Sequence, residues 1–221
     1  MRITQKILNI FLCVILVLYA APTQPVHAAE RTYYVDAVNG DDTNTGLSID
    51  KAWKSAQRVA NAELLSGDTV LFHSSQTFYN VSITPNCANL TFGAYGDGER
   101  PVLIGGILGD KWTKLNDNLY AMNVSAPKEP YLLKVGNNIY RRQDTDNYTE
   151  TAYKRFSYDK KNGVLYLNDS QADLIGQTVI QQSEHIFHIN QLSNINIKGL
   201  KMIMCGGGAV NINGSKSQNI T

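Results

Sequence analysis

Cysteine is scarce, with 3 in 221 residues, and one of them, Cys13, lies in the apolar N-terminal run. A disulfide-stapled miniprotein is therefore excluded. Six prolines and 17 glycines without a short period exclude a collagen-like or low-complexity chain. No block of like charge occurs: charged residues make up 18% of the chain and the formal net charge is +1. Such a chain has no electrostatic hold on nucleic acid or on an anionic membrane surface. Apolar residues reach 43%, enough over this length to build a core and to exclude disorder throughout.

The long apolar run is confined to the N-terminus. Residues 1–29 read as a secretory signal peptide: Arg2 and Lys6 are the positive region, Ile7–Ala21 the apolar stretch, and Val26-His27-Ala28 the small-x-small cleavage pattern. The stretch is shorter than the roughly 20 residues of a spanning helix, and Pro22 and Pro25 follow it. Export without stable membrane insertion after cleavage is the expectation, with a secreted or cell-surface location. Residues 30–221 then carry 18 basic against 19 acidic side chains, net −1. Cys87 and Cys205 remain, as a disulfide or as two thiols packed like small apolar groups.

Beyond the leader, Tyr33-Tyr34-Val35-Asp36 predicts a strand and Asn39–Gly46 a turn-rich loop. Trp53, Ala56, Val59, Ala60 and Leu64 fall at helical spacing, predicting an amphipathic helix over about Lys51–Leu65 that Gly67 terminates. Short β-type runs follow at Asp68–Phe72, Tyr79–Ile83, Asn89–Phe92 and Pro101–Ile104, every second one about 20 residues apart. Residues 107–182 break this rhythm with a strand at Leu119–Val124 and hairpins turning at Gly136-Asn137-Asn138 and Asn162-Gly163. After them Phe187-His-Ile-Asn190 recurs as Val210-Asn-Ile-Asn213. Asn194-Ile-Asn196 recurs as Asn219-Ile-Thr221, at nearly the same interval. Period-two apolar strands repeated in this way describe successive coils of a β-solenoid. A β-sandwich also has regularly spaced strands, but it does not require the same Asn-Ile pattern in register.

The opening Tyr33-Tyr-Val-Asp, Asn39-Gly-Asp-Asp, Ala52-Trp-Lys-Ser and Gly67–Phe72 resemble the start of secreted right-handed parallel β-helix proteins, the pectate-lyase-like superfamily. Ala94-Tyr-Gly-Asp-Gly98 and Asn194-Ile-Asn-Ile-Lys-Gly-Leu200 are similar to its turns and coil repeat. The resemblance implies an all-β, right-handed parallel β-helix with an N-terminal capping α-helix and a small β-rich insertion. Its parts would be a signal peptide (1–29), the cap and first coils (30–106), a hairpin-rich insertion (107–182) and incomplete coils (183–221). The sequence stops within a strand at Ile220-Thr221, so it reads as the N-terminal portion of a longer protein whose coils continue. The superfamily hosts lyases, hydrolases, epimerases and adhesive proteins, so the resemblance specifies fold more than reaction.

Cleavage of an acidic polysaccharide needs a cation on the uronate, a base and an acid. A glycosidase needs two carboxyl groups flanking the bond. In the late coils His188 is outward-facing if Phe187 and Ile189 point inward, a position for a base or for sugar contact. His185, Lys198 and Lys201 read as core or solvated groups, and Glu184 stands alone. Arg141-Arg142 beside Tyr140, with Asp144 and Asp146 following, form the most charged polar cluster of the insertion. Two guanidinium groups and a ring there would hold a carboxylated or sulfated sugar. Asp42-Thr-Asn44-Thr-Gly46 lacks the third oxygen side chain and distal Glu of a calcium loop. No cofactor or metal site is evident, and Ca²⁺ stays open for the full-length protein.

Two functions stand. One is an extracellular carbohydrate-active protein acting on a polysaccharide as lyase or glycoside hydrolase, with its catalytic residues beyond Thr221. The other is a non-catalytic adhesin or glycan-binding module. The substrate-binding candidates are Tyr140, Arg141, Arg142 and His188, and no residue carries the marks of a catalyst.

Overall fold

The computed structural model describes residues 30–126, 128–170, 177–214 and 217–221. The expected signal peptide lies outside them. The described chain is all-β with curled sheets, and its helical content is two 3-10 turns and one short α-helix. Among the described residues, no helix is long and apolar enough to cross a membrane.

The chain visits three parallel sheets in a repeating cyclic order. The first sheet holds Thr32–Val35, Thr69–His73, Leu90–Tyr95, Ser193–Ile197 and Gln218–Ile220, side by side in that sequence. The second holds Thr77–Phe78, Val102–Ile104 and Lys201–Ile203, all parallel. Ile83 bridges Phe187, whose strand Phe187–Asn190 pairs in parallel with Val210–Asn213. This alternation buries every second side chain against the facing sheets. Val70, Phe72, Leu90, Phe92, Phe187, Ile189 and Ile195 are buried together. Phe92 meets Phe187 with ring centroids 5.0 Å apart.

The predicted repeat in the late strands holds: Phe187 aligns with Val210, Ile189 with Ile212, and Ile195 with Ile220. The shorter spacing expected of the early strands is corrected. Val70 pairs with Phe92 and Phe78 with Leu103, so the early repeats are about as long as the late ones. Phe72 and Phe92 are therefore diagonal neighbours, because backbone register counts turn residues as well as apolar ones.

Left-handed turn residues fix that register. Gly67, Asn89, Asn194 and Asn219 have φ of 98°, 59°, 56° and 51°, each at or just before a strand of the first sheet. Asn194 Nδ2 donates to Asn89 Oδ1 at 2.7 Å and Asn219 Nδ2 to Asn194 Oδ1 at 2.8 Å. Asparagine tolerates this conformation, and its amide links each turn to the next.

The helix expected over 51–65 does not form as one element. Ile49–Lys51 is a 3-10 turn, Ala52 is extended, and the α-helix spans only Ala56–Ala60 behind the Ser55 N-cap. Trp53 decides this: its N–H donates to Tyr34 O and its carbonyl accepts from Asp36 N, which demands extended backbone at the edge of the first strand. The Trp53 ring stacks on Tyr33 at 4.5 Å, donates Nε1–H to Asn44 O, and is 2% exposed. Gly46 lies against the ring so closely that a Cβ would sit 2.5 Å from it. A tryptophan-anchored loop therefore covers the first strand edge, where a long helix was expected. Asp42, in the stretch weighed as a calcium loop, accepts from Lys54 N, Ser55 N and Ser55 Oγ.

Between Ile104 and Ser183 the chain forms an eight-stranded sheet of mainly antiparallel strands. The two hairpins expected in it turn where the Gly136 and Gly163 stretches predict, pairing Asn138 with Val135 and Asp159 with Val164. Met122, Leu133, Phe156, Leu165, Leu167 and Ile180 make its own core. Cys87 and Cys205 both carry free thiols, packed against the main core.

Asn194→Ala should cost about 1–2 kcal/mol in urea unfolding, since alanine at this φ is strained and the amide links are lost. Asn194→Gly should cost less than half of that. Equal losses for the two variants would assign the effect to the amide links alone.

Candidate functional site

The site forms where the antiparallel sheet rejoins the parallel sheets. The Gly105 carbonyl oxygen accepts from both Gln182 N (2.8 Å) and Ser183 N (2.7 Å), so the outgoing and returning chains are tied at one atom. A Cβ on Gly105 would lie 2.8 Å from Met204 O, and one on Gly106 would lie 2.6 Å from Ile180 O. Glycine is required for that approach.

Just before this tie the buried side chains of Gln181 and Gln182 face a crossing segment. Gln182 Oε1 accepts from Lys128 N at 3.0 Å and its Nε2 donates to Lys128 O at 3.3 Å. Gln181 Oε1 accepts from Tyr131 N at 2.8 Å, and its Nε2 donates to Ser183 O. Two buried amides thus act as a template for Lys128–Tyr131. Their polar atoms are paired, as burial requires.

Beside them opens a cleft of about 500 Å³ lined by Lys128, Glu129, Tyr131, Gln181, Gln182 and Glu184, with Gly206 at its side. Tyr131 is 60% exposed. Arg142 lies over its ring at 4.9 Å from the centroid. That guanidinium is bound by two carboxylates, Nη1 to Glu129 Oε2 at 3.0 Å and Nε to Asp144 Oδ1 at 2.8 Å. Lys160 Nζ reaches Glu129 Oε1 at 2.8 Å. Lys160 foremost, then Arg142, hold the Glu129 carboxyl below the ordinary glutamate range. Glu129 is accordingly an ionised acceptor and a poor proton donor.

His188 adjoins this region. Its ring meets His185 edge-on at 5.0 Å, and His185 Nδ1 lies 2.6 Å from Gly208 O. Burial chiefly, then the neighbouring His185, push His188 below its usual range; Lys128 adds to this and Glu184 opposes it. His188 is half-buried and within electrostatic reach of two cleft residues.

The other residues singled out from sequence are dispersed. Tyr140 is 3% exposed, in the core of the antiparallel sheet, and its hydroxyl donates to Asp169 Oδ2 at 2.9 Å. It therefore presents no face to a sugar, which corrects the expectation of a Tyr140–Arg141–Arg142 surface. Strand alternation explains the correction, since Tyr140 and Arg141 point to opposite faces. Arg141 is exposed and lines no part of this cleft. Arg142 lies over Tyr131 beside the cleft, and Glu129 and Asp144 engage its Nη1 and Nε, so it is tied into an ion-pair network. Lys128, Glu129, Tyr131, Gln181 and Gln182 were not recognisable as a site from sequence. The one available signal was the polar doublet Gln181-Gln182 directly after the apolar Val179-Ile180.

No protein-family model matches the chain. Over 101 residues it is 35% identical to a lacto-N-biosidase of Bifidobacterium longum subsp. longum, a match covering 41% of this chain and 6% of that protein. The chain thus spans a small fraction of that curated relative's length. Among solved structures, XylC in complex with xylose matches 80% of this chain and 36% of its own, with TM-score 0.65 and 14% identity. A structure described as a glycoside hydrolase matches 79% of this chain and 51% of its own, with TM-score 0.55 and 9% identity. At these identities the structural likeness concerns the fold.

NMR titration should place the His188 midpoint below the ordinary histidine value of about 6.5. Lys128→Ala should move it upward and Glu184→Gln further down. A midpoint unmoved by both would separate His188 from the cleft.

Proposed function

We propose that the chain is a secreted, carbohydrate-active protein of the glycoside hydrolase type, built on a right-handed parallel β-helix, and that its cleft binds a glycan. The observation carrying this reading is the cleft itself: an exposed tyrosine whose backbone is held by buried Gln181, next to Lys128 held by buried Gln182. Sugars present an apolar ring face and a rim of hydroxyls, so they suit an aromatic surface beside fixed hydrogen-bonding groups. The cyclic order of three parallel sheets supports the β-helix. The 35% identity to a lacto-N-biosidase and the fold likeness to XylC and a glycoside hydrolase support a carbohydrate ligand. The sequence of residues 1–29 supports export to an extracellular polysaccharide or oligosaccharide.

Binding is favoured over cleavage in this cleft. A glycosidase needs one carboxyl that carries a proton, and Glu129 is pinned ionised by two cations. The cleft lining sets Lys128 against Glu129 and Glu184, a net negative charge, so the preferred glycan is neutral and not uronic. A second reading, hydrolysis at the same place, is favoured by one observation: Glu184 lines the cleft with Glu129, giving two carboxyls. Sustained release of reducing sugar, abolished by Glu184→Gln, would establish that second reading.

Titration calorimetry of the purified chain should give saturable binding to lacto-N-biose or xylobiose, and weaker binding to digalacturonate. Tyr131→Ala should weaken binding by roughly two- to tenfold. Absence of binding to every sugar, or an unchanged affinity in Tyr131→Ala, would contradict the reading.

A further inference from the structure

A second cavity, of about 160 Å³, lies beside the Glu129–Arg142 ion pair, both members of which line it. Its lining includes Glu129, Arg142, Asp144, Asp146, Tyr148 and Tyr158. Glu129 belongs to both cavities, and Arg142 of the second lies over Tyr131 of the first. The two spaces are therefore neighbours that share Glu129, and neither is a separate feature of a remote surface.

The chemistry repeats in both spaces. On one side stand Tyr131 and Glu184, on the other Tyr148 and Asp146, with Glu129 between them. Tyr148 is fixed by stacking on Tyr166 at 5.6 Å with rings 5° from parallel. Glu129 receives one cation on each oxygen, and a carboxylate has about four acceptor positions, so capacity remains for hydroxyl donors. An aromatic ring with carboxylate acceptors, repeated on either side of a shared carboxylate, matches a ligand that itself repeats.

We propose that the cleft and the second cavity together form one track for an oligosaccharide. One end of the glycan would lie on Tyr131 and the other on Tyr148, with the chain crossing over the Glu129–Arg142 pair. This rests on the glycan-binding reading of the cleft and extends it to ligand length: the preferred ligand is longer than a disaccharide.

The test is calorimetry with xylobiose against xylotetraose and lacto-N-biose against lacto-N-tetraose, on the intact chain and two variants. The tetrasaccharide of the bound series should bind about tenfold tighter than its disaccharide. Tyr148→Ala should remove most of that gain while leaving disaccharide affinity unchanged. Asp146→Ala, on an exposed loop and so safe for folding, should remove part of the gain in the same way. Equal affinities for both lengths, or a gain that survives both variants, would overturn the track and leave the cleft reading standing. Failure of both series to bind would overturn the two together.

Discussion

Everything distinctive about this molecule depends on one geometric demand: an eight-stranded sheet must leave the parallel sheets and return without shifting their register. The Gly105 carbonyl meets that demand by accepting N–H groups from both Gln182 and Ser183. Had the return been displaced by one residue, every apolar side chain from Ile186 onward would turn to the opposite face. Phe187 and Ile189 instead enter the same core as Phe72 and Phe92. A small apolar seam of Ile104, Val179 and Met204, with Leu132 packed against it, completes the join.

The functional region follows from the same demand. Backbone crossing between two sheet systems leaves N–H and C=O groups that neither ladder satisfies, and burial makes such groups costly. Gln181 and Gln182 answer them, and in doing so hold Lys128 and Tyr131 in place. A cleft at such a junction is rigid on one side because its floor is hydrogen-bonded. The neighbouring cations are paired, Arg142 with Glu129 and Asp144 and Lys160 with Glu129, and Glu129 and Glu184 outweigh Lys128 in the lining. That arrangement suits recognition of a hydroxyl-rich neutral ligand more than neutralisation of an anionic one.

The sequence made much of the fold legible where local pattern and tertiary packing agree. The alternation around Phe187–Ile189, the asparagines at first-sheet strands and both hairpin turns are such places. It misled where a single backbone demand outweighs a periodic pattern. Trp53 sits at a helical position, yet its pairing with Tyr34 and Asp36 holds it extended. The site was less legible still. Tyr140 and Arg142 are close in sequence, but one enters a core and the other an ion-pair network. Glu129 and Glu184 are distant along the chain and meet at one cleft only because the sheet closes on Gly105.

The central claim is that a glycan is held at the junction between the two sheet systems. Backbone amide NMR of the chain, titrated with lacto-N-biose and with xylobiose, tests it most directly. The account predicts that shift changes concentrate in residues 128–131 and 181–184, with the outward residues of the first parallel sheet, Tyr34, His73 and Tyr95, unmoved. Changes centred on those three residues, with the junction silent, would contradict it.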